Sequence, residues 1–222
     1  MRNIMSGKLY AIGVGPGDPD LMTIKALKTI KKADCIACPK SHGRPGIAYG
    51  IAKEAFPDIL SKELLLLEFP MRKDDLSDAH QKAAEEIIYF LSSGKNVALL
   101  TLGDPGFYST FYYVAGIIKE QGYEIEIISG ITSFSAASAK LKVPLTLGDE
   151  QLMITSGELC KFEGTLVILK AGSKLKEIKE KASSFNKSIY LVENCGMPNE
   201  KVYFELNSMP DEAGYFSLVI VK

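Results

Sequence analysis

The chain has 222 residues, of which 46% are hydrophobic and 24% are charged, and its formal net charge is -1 at pH 7. This composition is typical of a globular protein of one or two domains, and the near-neutral charge argues against a general nucleic-acid binder. No apolar run is long enough to span a membrane and residues 1–8 lack the apolar core of a signal peptide, so we predict a cytoplasmic protein.

The first predicted element is an apolar strand from Leu9 to Val14, which runs into the glycine loop Gly15 to Pro19. A helical pattern begins near Leu21 and continues to Lys32. Strand, glycine loop and helix are typical of a dinucleotide-binding unit, but Asp18 stands where the fingerprint needs its last Gly or Ala. Pro16 also removes an amide, and the ribose-binding acid is missing from the end of the second strand. An NAD-dependent oxidoreductase remains the alternative from a different enzyme class.

The second predicted strand contains two of the four cysteines, Cys35 and Cys38. Residues three apart in a strand point to opposite faces, which disfavours a joint metal or redox site. We therefore expect free thiols, as in a reducing compartment. The chain has only two histidines, so we predict no metal site, and we place His80 on the surface of a helix.

Basic residues follow the second and third predicted strands. The loop 40–46 follows the second strand, and the third strand, 63–69, ends in a basic stretch. Because the carboxyl ends of parallel strands meet at one edge of a sheet, we expect these cations to lie at the same edge. The loop 40–46 can equally be a solvated connection. Helices are predicted over 47–56 and 76–91. The candidate cations are Lys40, Arg44, Arg72 and Lys73.

The stretch Asn96 to Thr110, NVALLTLGDPGFYST, is the most informative part of the chain. Val97 to Leu102 predicts a strand buried on both faces, and GDPG at 103–106 predicts a sharp turn before a helix over 107–118. This turn lies at the carboxyl end of a strand, where open α/β folds bind their ligands. The simpler alternative is a loop in which Asp104 serves only the following helix.

The second half of the chain is richer in strands. A fifth strand, 123–128, leads to the glycine and hydroxyl turn 129–133 and a small-residue helix, 134–140. The stretch 143–149 is the predicted linker between the domains 1–142 and 150–222. Five strands and one convincing helix, 174–184, then predict a mixed sheet, in which the apolar last strand lies centrally. The five strands are 151–155, 165–170, 188–193, 201–206 and 215–221.

Several motifs in this order resemble the tetrapyrrole methylases, the class III S-adenosylmethionine-dependent methyltransferases of the corrin and sirohaem pathways. The resemblance covers nearly the whole chain. The motifs are GVGPGDPDLMTIKA at 13–26, LGDPGFYST at 102–110, SGITSF at 129–134, TLVILK at 165–170 and VENCG at 192–196.

The resemblance implies an α/β protein of two αβα domains, unlike the Rossmann methyltransferases. It implies a mostly parallel five-stranded sheet in the N-terminal domain, a mixed five-stranded sheet in the C-terminal domain, and an active site in the cleft between them. S-adenosylmethionine is the implied cofactor, S-adenosylhomocysteine its product, and a homodimer the implied assembly. By motif position, the cofactor contacts are Leu102, Gly103, Asp104, Phe107, Thr132, Ser133, Lys170 or Ala171, Asn194, Cys195 and Gly196.

The implied substrate is a tetrapyrrole with many carboxylates. The resemblance assigns Gly15, Pro16 and Gly17 to the substrate trough, and the cations after the strands suit carboxylate binding. A proton must leave the methylated carbon, and its acceptor stays open between three side chains, water and a substrate carboxylate. Asp104 can instead position the cofactor or shape the turn. The three side chains are Asp104, Tyr108 and Tyr112.

Within the family, FPM at 69–71 and FYST at 107–110 resemble the branch that methylates C20 of precorrin-2 or its cobalt complex. Uroporphyrinogen-III methyltransferases usually carry GGDP where this chain has LGDP. That enzyme and a later precorrin methyltransferase are alternatives within the family. A tetrapyrrole carrier and a diphthine synthase are less consistent with the intact turns and the FPM motif.

Overall fold

The computed structural model describes residues 6–69, 76–157, 159–182 and 187–222. Arg72 and Lys73, two of the predicted cations, lie outside the described residues. By its contacts the chain divides into two units, Met1–Thr132 and Ser133–Lys222, so residues 133–142 belong to the second unit. The predicted linker at 143–149 stays a prediction.

The first unit is built on a mostly parallel sheet, as predicted. Five parallel strands lie in the order β4-β2-β5-β1-β6, and a short strand, β3, pairs antiparallel with the end of β2. The bounds are β1 Leu9–Gly13, β2 Cys35–Ser41, β3 Arg44–Pro45, β4 Glu63–Leu67, β5 Val97–Thr101 and β6 Ile125–Ile128.

Helices cover both faces of this sheet. Residues of α1 and α2 pack in one core cluster, and residues of α3 and α4 pack in another. Cys38 belongs to the first cluster and Cys35 to the second, which confirms that the two thiols point to opposite faces. All four cysteines are free. The bounds are α1 Ile24–Lys32, α2 Ile47–Ala55, α3 Leu76–Ser92 and α4 Phe111–Glu120.

Two predicted helix starts were wrong, because turns with side-chain hydrogen bonds precede the helices. Residues Pro19–Leu21 form a separate 3₁₀ turn. Helix α1 begins only at Ile24, and Thr23 caps it, because Thr23 Oγ1 accepts a hydrogen bond from Ala26 N at 3.1 Å. Before α4, Tyr108 has a φ of 49°, which is not a helical conformation, so a helix that starts at residue 107 cannot continue through residue 108. The helix therefore begins at Phe111, four residues later than predicted.

The predicted loop at 40–46 is a tight hairpin. Strand β2 continues to Ser41, and β3 returns beside it after a turn at His42 and Gly43. These two residues have φ values of 49° and 74°, the conformation that two-residue hairpin turns require. The hairpin gives Arg44 a defined position at the carboxyl end of β2.

The second unit contains the predicted mixed five-stranded sheet. Its strand order is β10-β9-β11-β8-β7, in which β7 and β8 are parallel and the other pairs are antiparallel. β11 is central and entirely buried, as its apolar sequence predicts. The bounds are α5 Ser133–Leu141, β7 Leu152–Ser156, β8 Thr165–Leu169, α6 Leu175–Ala182, β9 Ile189–Glu193, β10 Lys201–Tyr203 and β11 Ser217–Val221.

Candidate active site

The turns after β1, β5 and β6 pack backbone on backbone at the carboxyl edge of the first sheet. Gly15 N donates to Gly103 O at 3.2 Å, and Gly103 N donates to Gly15 O at 2.7 Å. A Cβ on Gly13 would lie 2.6 Å from Gly103 O, and one on Gly130 would lie 2.2 Å from the same oxygen. Only glycine fits at these two positions, because real Cβ atoms do not come so close to another atom.

The carboxylate of Asp104 joins two of these turns. Its Oδ1 accepts from Gly106 N at 2.6 Å, and its Oδ2 accepts from Gly130 N at 2.8 Å. Helix α4 begins only at Phe111 and has no side-chain cap at Thr110. The idea that Asp104 serves only its helix is therefore wrong, and the geometry makes it a turn-fixing residue. Its part in proton transfer stays a prediction.

An aromatic surface follows the Asp104 turn. Phe107 and Tyr108 precede α4, Tyr112 and Tyr113 lie in its first turn, and all four side chains are exposed. Exposed aromatic rings of this density on one segment form an apolar surface that suits a ligand with apolar parts. Leu102 directly precedes the turn, and its side chain packs against the core cluster that contains residues of α1 and α2.

The predicted substrate residues differ in what holds them. Gly15 and Pro16 are buried and Gly17 is partly buried. Lys40 Nζ lies 2.7 Å from Glu68 Oε2, and this ammonium holds the Glu68 pKa below its usual value. Arg44 is exposed on β3 and makes no ion pair within the described chain. Arg44 is thus better placed than Lys40 to bind a free carboxylate.

In the second unit, β7, β8 and β9 end at the same edge of their sheet, because β8 and β9 both run antiparallel to β11. Each strand is followed by a residue in the left-handed region, Gly157, Lys170 and Asn194, with φ values of 73°, 54° and 50°. Lys170 Nζ lies over the Tyr215 ring, 5.3 Å from its centroid. Its exposed side chain thus contacts a neighbouring aromatic ring.

The predicted cofactor turn at 194–196 is tied to its own neighbours. Asn194 N donates to Phe216 O at 2.8 Å, and Asn194 Nδ2 donates to Asn199 O at 3.3 Å. Gly196 N donates to Glu200 Oε2 at 2.6 Å. Cys195 is buried, and burial raises the pKa of its thiol to about 11. These bonds give the turn a fixed shape, and burial disfavours the reactive thiolate form of Cys195.

The remaining predicted cofactor residues occupy strand and helix ends. Ala171 is buried after β8, and its N–H donates to Ser217 O at 3.0 Å. Thr132 is partly buried and is the last residue of the first unit, and Ser133 is the first residue of α5. Contact between a cofactor and these residues stays a prediction, as it does for all of the candidate set.

The sequence reasoning was wrong about His80. Its side chain is only 8% exposed, and its ring stacks on Tyr113 with centroids 4.8 Å apart. The helical spacing contained the signal, because His80 shares the buried face of α3 with Ala83, Ala84 and Ile87. Sequence reasoning also missed the buried Glu193, whose Oε1 accepts from Tyr203 Oη at 3.1 Å.

Within the described ranges, no helix combines the length and the apolar character that crossing a membrane requires. No group of three potential metal-ligating side chains lies together in the same part of the chain.

The chain belongs to the tetrapyrrole (corrin/porphyrin) methylases. The model of this family matches residues 8–209, which confirms the resemblance seen in the motifs. Among the relatives, the chain is 39% identical to a probable cobalt-precorrin-2 C(20)-methyltransferase of Methanocaldococcus jannaschii, over 99% of this chain and 98% of the relative. It is 31% identical to a precorrin-2 C(20)-methyltransferase of a Sinorhizobium species, over 100% of this chain and 97% of the relative.

Solved structures show the same fold. A cobalt precorrin-4 methyltransferase superposes with a TM-score of 0.75 at 22% identity, covering 96% of this chain and 94% of the other. Uroporphyrin-III C-methyltransferase from Thermus thermophilus, complexed with S-adenosyl homocysteine, gives a TM-score of 0.68 at 20% identity, covering 97% and 92%. The two-domain tetrapyrrole methylase fold is therefore confirmed, and the chain is a methyltransferase by family.

Proposed function

We propose that this protein transfers a methyl group to C20 of precorrin-2 or cobalt-precorrin-2 in cobalamin biosynthesis. The similarity over the full length of both chains to relatives with this named activity carries the proposal. The uroporphyrinogen-III C-methyltransferase of Bacillus subtilis is also 39% identical, but over only 64% of this chain and 52% of its own length. The length of the match therefore favours the C20 branch over this alternative.

We propose S-adenosylmethionine as the methyl donor; when bound, it supplies an electrophilic methyl group on a sulfonium. The side of Gly103 on which a Cβ would lie has room for a ligand, because the nearest atom to such a Cβ among the described residues is Ile131 O, at 3.9 Å. The exposed Phe107 ring lies four residues further along the chain. We assign the cofactor contacts to turns at the carboxyl edge of each sheet. At the edge of the first sheet they are Leu102, Gly103, Asp104, Phe107, Thr132 and Ser133. At the edge of the second sheet they are Lys170, Ala171, Asn194, Cys195 and Gly196.

In this proposal the protein acts mainly by positioning. Methyl transfer to carbon is an in-line displacement, so alignment of the reacting atoms and exclusion of water can supply much of the acceleration. Asp104 holds the turn at which the donor binds, and the aromatic segment 107–113 offers an apolar surface to the macrocycle. Arg44 binds a substrate carboxylate. Tyr108 and Tyr112 remain candidates for receiving the proton, beside water and a substrate carboxylate.

Incubation with defined substrates tests the proposal. Purified protein and S-adenosylmethionine carrying a ¹³C-labelled methyl group are mixed with precorrin-2, cobalt-precorrin-2 or uroporphyrinogen III in separate reactions. We expect the mass of one methyl group to be added to precorrin-2 or its cobalt complex, with the label at C20 by NMR. Methylation of uroporphyrinogen III alone would contradict the C20 assignment in favour of the alternative within the family.

We also propose a cytoplasmic homodimer. The family resemblance supports the dimer, and the four unpaired cysteines agree with a reducing compartment. Sedimentation-velocity centrifugation at micromolar concentration measures the assembly. A mass of 24.3 kDa, that of a single chain, would contradict the dimer.

A further inference from the structure

His80 is enclosed by aromatic rings. Its imidazole stacks on Tyr113 at an interplanar angle of 7°, and the Phe69 ring centroid lies 5.9 Å away at a tilt of 47°. The side chain is 8% exposed, and its Nε2 is buried without a hydrogen-bond partner in the described parts of the chain. No other side-chain nitrogen or oxygen in those parts is left in this state.

An unpaired buried nitrogen is costly, and the packing here does not require one. Buried polar groups in folded proteins nearly always have a partner, because losing water without replacement is unfavourable. A phenylalanine at position 80 would offer a similar flat ring to Tyr113 and Phe69 without that cost. The histidine therefore suggests a state of the protein in which Nε2 does have a partner.

The cover over His80 is easily moved. The Tyr113 side chain is 64% exposed, so little burial holds it beyond the stack on the imidazole. A single aromatic stack corresponds to about a two- to tenfold factor in an equilibrium constant. A hydrogen bond to a charged group corresponds to about a ten- to hundredfold factor. A charged ligand that forms a hydrogen bond with Nε2 would therefore gain more binding free energy than is lost when the Tyr113 ring leaves the stack.

The position of the pair points to the substrate. His80 and Tyr113 lie near the beginnings of α3 and α4, and Phe69 follows the end of β4. The turn after β5 and the hairpin after β2 belong to the same carboxyl edge of this sheet. The neighbouring Tyr112 is part of the exposed aromatic surface. His80 thus lies beneath the surface to which we assign the macrocycle.

We propose that His80 is a specificity-determining residue, whose Nε2–H donates a hydrogen bond to a carboxylate of the tetrapyrrole when Tyr113 turns away from the imidazole. This inference rests on the proposed function. Neutral imidazole can carry its proton on either nitrogen, and an acceptor at Nε2 selects the tautomer that donates there. Only a carboxylate in the right position reaches Nε2, so the bond discriminates between tetrapyrroles that differ in the placement of their carboxylates.

Steady-state kinetics of two His80 variants test the inference. We expect His80→Phe to melt at a higher temperature than the wild type, because it removes the unpaired nitrogen, and to raise the KM for the tetrapyrrole about tenfold or more. The KM for S-adenosylmethionine stays within twofold. His80→Gln keeps a side-chain donor, so we expect it to restore part of the lost tetrapyrrole affinity.

A tyrosine variant on the same helix supplies the matched control. Tyr89 lies on the same helix as His80 and is 74% exposed, and Tyr89→Ala leaves both KM values unchanged. A His80→Phe enzyme with an unchanged tetrapyrrole KM would overturn the inference, as would equal losses for both substrates. A wild-type enzyme inactive on every tetrapyrrole would instead overturn the proposed function.

Discussion

The carboxyl edges of the two sheets are built by different means. In the first unit, glycines 13 and 130 pack against Gly103, and the Asp104 carboxylate joins two turns. In the second unit, Lys170 and Asn194 take the left-handed conformation themselves. Main-chain hydrogen bonds, the Asn194 amide and the Glu200 carboxylate hold the turns. The first edge therefore depends on glycines at close backbone contacts and on a carboxylate that joins two turns. The second edge depends on residues other than glycine in the left-handed conformation. Substitutions should separate the two designs.

The largest effect is expected from Gly130→Ala. The added methyl would lie 2.2 Å from Gly103 O, so the turns after β5 and β6 must move apart. We expect a loss of about 3–5 kcal/mol in the free energy of unfolding. Gly116→Ala in α4 is the control, because a Cβ there meets nothing within 4 Å, and it should add about 1 kcal/mol. Urea denaturation measures both, and equal stabilities would contradict the close packing of the first edge.

A smaller loss is expected from Asp104→Asn. The amide can replace one accepted hydrogen bond but turns an N–H₂ donor toward a second backbone N–H, which costs about 1–3 kcal/mol. Asp18→Asn is the control, because Asp18 Oδ1 accepts only within its own turn, from Asp20 N at 2.9 Å. Its unfolding free energy should change by less than about 1 kcal/mol. If Asp104→Asn kept full stability and lost one limb of the pH–rate profile, Asp104 would be a proton-transfer group instead.

In the second unit, comparison of two Lys170 variants isolates the backbone strain. Lys170→Gly and Lys170→Ala both lose the contact with the Tyr215 ring, but only glycine adopts a φ of 54° without a steric cost. We expect the glycine variant to be more stable by about 1 kcal/mol. Calorimetric titration with S-adenosylhomocysteine should give affinities within about twofold of each other and of the wild type, since the proposed contact uses the backbone. A large loss in both variants would indicate that the lysine side chain binds the cofactor.

The smallest effect concerns the thiol in the second edge. Burial raises the pKa of Cys195 from 9.0 to about 11, and it raises the pKa of Cys35 to about 12. Well below pH 9 both thiols are protonated in the folded and the unfolded protein, so they add no pH dependence to the free energy of unfolding. Above pH 9 the unfolded state loses these protons first, and stability falls. At pH 8, iodoacetamide followed by mass spectrometry should modify the less buried Cys160 before Cys195.

Sequence patterns predicted the sheets better than the turns. Continuous apolar runs identified the parallel strands and the central β11, because burial on both faces demands such runs. The start of α4 was wrong, because hydrophobic periodicity continues through 107–110 although Tyr108 leaves helical conformation. The hairpin at His42 and Gly43 was not predicted for the same reason, because only backbone angles distinguish a tight turn from an open loop.

The sequence by itself determined the family, the two sheets and the chemical character of the candidate edges, because these follow from residue types and their spacing. Only the tertiary structure showed that the Asp104 carboxylate reaches Gly130, which is 26 positions further along the chain. Only the structure placed His80 beneath Tyr113. Both contacts join separate elements, and such contacts depend on how helices and strands pack rather than on the local pattern of any one of them.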